Sequence, residues 1–139
     1  MRRGSPYCGI LSLLLLGGCC RPPQIPEPGK TNRLEIDYGA PKLVVPPDVV
    51  VTNKVIIENV LSTIRQLPRN WHGTRFVLPE TKLTLSFHEG SNTLLVVWLS
   101  SDSIGARQGN QQYKDNRWCE VPRATLAQIA KQLGVTPYQ

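Results

Sequence analysis

The chain has 139 residues, 40% hydrophobic and 6% aromatic, with 16 Lys and Arg against 10 Asp and Glu, for a formal charge of +6. That length fits one domain with a modest core, and the composition is that of a globular chain. The cations are scattered rather than clustered, which argues against nucleic acid as a partner.

The chain opens on Arg2 and Arg3, continues through an apolar run strongest from Ile10 to Leu16, and reaches two small residues, Gly17 and Gly18. Basic, apolar, small is the plan of a secretory signal peptide. The run is far shorter than the ~20 residues a transmembrane helix needs. At its end, Leu16-Gly17-Gly18-Cys19 resembles the lipobox of the bacterial lipoprotein family. The resemblance covers about the first fifth of the chain and identifies an anchor, not a domain family. It implies cleavage after Gly18, a diacylglyceryl group on the Cys19 thiol and an acyl group on its new amino terminus. Each buried methylene contributes ~0.8 kcal/mol, and two or more acyl chains give stable anchoring. The family's inner-membrane retention signal is an Asp after the cysteine; Cys20 and Arg21 stand here. That favours the periplasmic face of the outer membrane in an envelope with two membranes.

Loss of residues 1–18 takes Arg2 and Arg3 with it and leaves 121 residues at +4. A mildly basic domain gains some attraction to an anionic membrane surface. Of the four cysteines, Cys8 leaves with the signal and Cys19 takes the lipid. Cys20 and Cys119 could pair in an oxidising compartment, but the preferred reading of Cys119 is a small buried strand residue.

Residues 20–31 hold four prolines and a glycine and no periodic pattern. They read as a tether of polyproline character within residues 19–33, able at ~3.1 Å per residue to hold a domain about 30–35 Å from the lipid. A tail of no required length is the alternative. The remainder, 34–139, reads as a single domain.

Leu34 to Tyr38 alternates as a short strand. Lys42 to Val45, set among prolines, is at best an edge strand. A helix is expected between Asp48 and Leu67, from Val50, Ile57, Val60, Leu61 and Ile64 on one face, with a stop at Pro68. Either Asp48 caps it, or the β-branched Val49-Val50-Val51 is extended and Thr52 or Asn53 caps it; a start near Thr52 is preferred. Arg75 to Leu78 is a short β run. Lys82 to His88 alternates with one wet face, Glu89 to Asn92 supplies turn chemistry, and Thr93 to Leu99 is nearly all apolar, so a hairpin ending in a central strand is expected. Residues 100–116 read as one long polar loop. Arg117 to Val121 is a last strand, with Trp118 and Glu120 on one face and Cys119 and Val121 on the other. Pro122 suits the start of a helix carrying Leu126, Ile129, Ala130 and Leu133, stopped by Gly134. The order implies an α+β fold: a small antiparallel sheet of three to five strands with two helices packed on one face.

Little in this pattern points to catalysis. Ala124 to Pro137 resembles the first helix and turn of a DNA-binding helix-turn-helix, but the likeness covers that segment alone, and an amphipathic helix with a glycine stop accounts for it. His72 and His88 stand outside any ligand-spaced cluster, so no metal site is expected, and no cofactor motif is present. Trp98 reads as core. Trp71 and Trp118 border loops beside arginines, and aromatic–arginine surfaces suit partner binding. The candidate binding surface is therefore Trp71, Arg75, Arg107, Tyr113, Arg117 and Trp118; its alternative is a set of aromatics capping the core edge.

These features imply a lipid-anchored envelope protein that binds a protein partner as an accessory or assembly factor, more in keeping with a non-enzyme. The alternatives are an envelope hydrolase acting on cell-wall or lipid material, or an inhibitor or immunity-type protein that inserts loop 100–116.

Overall fold

A computed structural model describes residues 21–40, 45–68, 70–73, 80–109 and 116–136. Cys19, Cys20, Arg75, Tyr113 and the expected run Arg75 to Leu78 lie outside the described residues.

The elements are β1 (Arg33–Tyr38), β2 (Val49–Val51), α1 (Lys54–Arg65), β3 (His72–Gly73), β4 (Leu83–Glu89), β5 (Asn92–Leu99), β6 (Ser103–Gln108), β7 (Arg117–Glu120) and α2 (Arg123–Leu133). The strands form one antiparallel sheet in the order β2-β1-β4-β5-β6-β7-β3. The α+β class stands, but the sheet has seven strands rather than three to five.

Three short or weakly patterned segments account for the difference. β2 and β3 are three and two residues long, and each covers one edge. Val50, expected on the helix face, is the centre of β2 and half exposed. β6 runs through the stretch read as one loop, so residues 100–116 are not a single loop.

Alternation sorts the sheet into two faces. Leu34, Ile36, Leu83, Leu85, Phe87, Leu95, Val97, Leu99, Ile104, Ala106 and Cys119 share the hydrophobic core with Ile57, Val60, Leu61 and Ile64 of α1 and Leu126, Ile129, Ala130 and Leu133 of α2. Burying an aliphatic side chain of this size contributes about 1.5–3 kcal/mol. Asn53 caps α1: its side-chain oxygen accepts from the N–H groups of Val55, at 3.0 Å, and Ile56, at 3.5 Å. Gly134 ends α2 in the left-handed region at φ 67°, where a residue without Cβ is unstrained.

Residues 24–30 lie against the domain as a strap. Ile25 packs on the core. Arg65 Nη2 donates to Pro26 O at 2.5 Å, Gln108 Nε2 to Gln24 O at 3.0 Å, and the Gly29 N–H to Glu58 Oε1 at 2.9 Å. This stretch therefore does not act as an extended spacer in this conformation. Ile25, partly buried, packs against the core, and backbone groups of the stretch find partners, which a fully solvated polyproline segment does without.

Candidate functional site

Among the described residues the second face of the sheet carries no helix, though Thr84, His88, Val96 and Trp98 on it are buried, and its cross-strand register aligns side chains in rows. One row runs Asp37, Thr84, Trp98, Gly105, Trp118, His72 across six strands. Gly105, with no side chain, stands between two indoles. Trp98 is 4% exposed and Trp118 is half-buried. Arg107 Cζ lies 5.6 Å from the Trp98 ring centroid, within cation–π range. The exposed His72 ring stands 5.1 Å from the Trp118 ring at an interplanar angle of 41°, and Trp118 Nε1 donates to Gly73 O at 3.3 Å. The edge strand β3 thus fixes the outermost indole from two sides.

The neighbouring rows are polar. Glu35, Ser86, Val96 and Arg107 align, as do Arg33, His88 and Thr93. Glu35 links them. Its Oε1 is 3.3 Å from Arg33 Nη2, and its Oε2 is 3.2 Å from His88 Nε2. His88 Nδ1 stands 3.1 Å from Thr93 Oγ1. His88 is buried; Nδ1 meets the Thr93 hydroxyl, while Nε2 lies within ion-pair distance of Glu35 but without hydrogen-bond geometry. A β-bulge between Phe87 and His88 brings Thr93 opposite the histidine. Carboxylate, imidazole and hydroxyl are therefore in sequence, with Thr93 at the edge of an open groove of about 650 Å³ bordered also by Asn92, Leu94 and Gln108.

The six residues of the expected binding surface separate. Arg107 and Trp118 share the helix-free face. Arg117 pairs with Ala106 and Gly73 on the alternate position and points the other way. Trp71 is in the core, 6% exposed, so it caps the core edge instead of joining the surface. Arg75 and Tyr113 are outside the described residues. Trp98, assigned to the core from the apolar run around it, is buried on the opposite face from that core. The period-2 position of Trp98 relative to Val97 and Leu99 carried that signal. The Glu35–His88 pair was not legible, because the two residues are 53 positions apart.

Cys119 is fully buried with a free thiol. Burial pushes that thiol up from 9.0 to about 11, so at neutral pH it is protonated and a poor nucleophile. Among the described residues no group of three or more His, Cys, Asp or Glu is placed to hold a metal ion, and no helix is long and apolar enough to cross a membrane. No family model matches the sequence, and none of the curated proteins or solved structures compared with it matches.

Proposed function

We propose that this chain is a lipid-anchored envelope protein, acylated at Cys19, that works as a binding or accessory factor and presents the helix-free face of its sheet to a protein partner. The observation that carries the reading is the half-buried Trp118 ring beside the exposed His72, with Arg107 of the neighbouring strand on the same face, over the buried Trp98. Indoles and arginines supply large contact area with directional polar ends, the side-chain types in which interface energy concentrates. Lipidation places such a face at a fixed membrane, the periplasmic side of the outer membrane in a two-membrane envelope.

A photo-crosslinking residue in place of Trp118 tests this, with the same residue in place of the exposed Val55 of α1 as control. One enriched envelope protein crosslinked from position 118 and not from 55 is expected. Equal yields from both positions refute the face. A Cys19→Ala chain, analysed by intact mass, should lack both the diacylglyceryl and the N-acyl group and leave the membrane fraction. Membrane-bound, acylated Cys19→Ala chain refutes the anchor.

The Glu35–His88–Thr93 series favours one second reading, a hydrolase. It has a hydroxyl, a base and an orienting carboxylate within reach of one another, the arrangement that activates an oxygen nucleophile. A fluorophosphonate probe that labels Thr93, with labelling lost in His88→Gln, supports it; an unlabelled chain rules out an activated Thr93. An inhibitor built on residues 100–116 is a weaker reading, because β6 occupies the middle of that stretch.

A further inference from the structure

Next to the Thr93 groove, with which it shares Gln24 and Gln108, residues 21–24 leading into the strap meet the ends of β6 and β7 and border a crevice of about 280 Å³. That is slightly below the roughly 300–1,000 Å³ of pockets for drug-sized ligands, and suits a compact polar group. Arg21 and Gln24 border it from the strap, Arg107 and Gln108 from β6, and Arg117 from β7; no Asp or Glu is among its described lining residues. The Arg107 guanidinium is engaged over Trp98 and contributes field rather than a direct ligand. Arg117 spends one donor, Nη1, on Asn116 O at 3.0 Å, out of the five a guanidinium carries. Gln108 donates through Nε2 to Gln24 O, and its Oε1 is buried without a partner among the described residues. A buried acceptor in that state favours a ligand that brings a donor.

The crevice thus offers an anion the guanidinium groups of Arg21 and Arg117, and a turn of the Gln108 side chain would bring its Oε1, now out of solvent reach, to a hydrogen-bond donor on the same ligand. Arg21 is two residues from Cys19, within about 7 Å along the chain, so an acylated Cys19 sets this end of the domain at headgroup level. For that placement the inference rests on the lipoprotein reading. We infer that the crevice binds the headgroup of an anionic glycerophospholipid of the phosphatidylglycerol class, its phosphate held by Arg21 and Arg117 and a glycerol hydroxyl donating to Gln108 Oε1. The strap then acts as a clamp that fixes the domain's orientation on the membrane, where a free spacer would let it tumble. Guanidinium–phosphate contacts are charge-assisted and directional.

The test titrates the full chain, purified in a neutral detergent, with dihexanoyl phosphatidylglycerol, dihexanoyl phosphatidylcholine or inorganic phosphate, and reads chemical shifts of the Gln108 side-chain amide and the Arg117 backbone. Saturable shifts with phosphatidylglycerol, at least about tenfold tighter than with either other probe, are expected. Arg21→Ala with Arg117→Ala should weaken that binding about tenfold or more. Should the double variant unfold, Arg21→Ala alone serves, since Arg21 is exposed, and should weaken binding severalfold. Equal binding of phosphatidylcholine refutes headgroup selectivity. Equal binding of inorganic phosphate replaces the lipid with a free anion. Unchanged affinity in the arginine variants refutes the site. The short-chain lipid needs no acylated Cys19, and intact mass reports acylation separately, so a failed anchor and a failed crevice give different results.

Discussion

Raising the pH from 8 to beyond 11 is expected to destabilise the native chain through Cys119. In the unfolded state this thiol loses its proton near 9.0, and in the folded core near 11. Between those values the native state holds one proton more than the unfolded state. Each pH unit then removes about 1.36 kcal/mol of stability. The contribution is fully present below pH 9 and lost as pH rises through about 11, a total of about 2–3 kcal/mol. The physical cause is that Cys119 is fully buried among core side chains, where a thiolate would forfeit its hydration. Lysines and tyrosines titrate in the same window, so the measurement is a difference. Urea unfolding is followed by circular dichroism at several pH values for the native chain and for Cys119→Ala. The variant loses about 1 kcal/mol at every pH from the vacated volume, but its stability should fall less steeply above pH 9. The two curves should converge and then cross as the native chain gives up its extra term. Parallel curves would refute the reasoning, because they would mean the thiol sheds its proton equally easily in both states.

Asn53→Ala removes the acceptor for two helix N–H groups and should cost ~1 kcal/mol in urea unfolding; a neutral result would mean water replaces the cap at no loss. Gly109→Ala should be harsher, about 3 kcal/mol, because a Cβ there would stand 1.8 Å from the Thr93 carbonyl oxygen, and a backbone atom cannot rotate away. A native-like melting temperature would show that this approach relaxes freely. Ile25→Ser should cost about 1–2 kcal/mol and release the strap, seen as faster hydrogen exchange at the Gly29 N–H. Unchanged protection there would mean that the bonds to Glu58 and Arg65 hold the strap without Ile25.

The parts of the fold that were legible are those where one face repeats. Leu83, Leu85 and Phe87 define β4 by alternation, and Leu126, Ile129, Ala130 and Leu133 define α2. β6 was not legible, because Ser-Ile-Gly-Ala-Arg-Gln offers only Ile104 and Ala106 to the core, and Gly105 sits in register with two tryptophans supplied from neighbouring strands. The edge strands β2 and β3 are too short to show a period, so only pairing reveals them. Val49–Val51 was half visible as a β-branched triplet. At the candidate site, Trp118 was readable from its alternation with Cys119. Trp71 misled because a residue beside a loop in sequence can still turn into the core. The Glu35–His88–Thr93 contacts arise from sheet register between distant segments, which spacing along the chain cannot report.

The strand order also dictates when this chain can become itself. β4 through β7 form a meander in which each strand pairs with the next, so its contacts close over short loops. The first 73 residues are different. They supply β1 and β2 to one edge of that meander and β3 to the other, with α1 between them in sequence; among their described residues the only strand ladder is the three-residue pairing of β1 with β2, beside the bonds from the strap to α1. As the chain is made amino end first, this half emerges before the strands its sheet edges need. The inner side of β1 lacks its long ladder with β4 until residues 83–89 have arrived. Completion of the sheet is thus deferred to the arrival of the carboxyl-terminal half, whatever the amino-terminal half has formed by then.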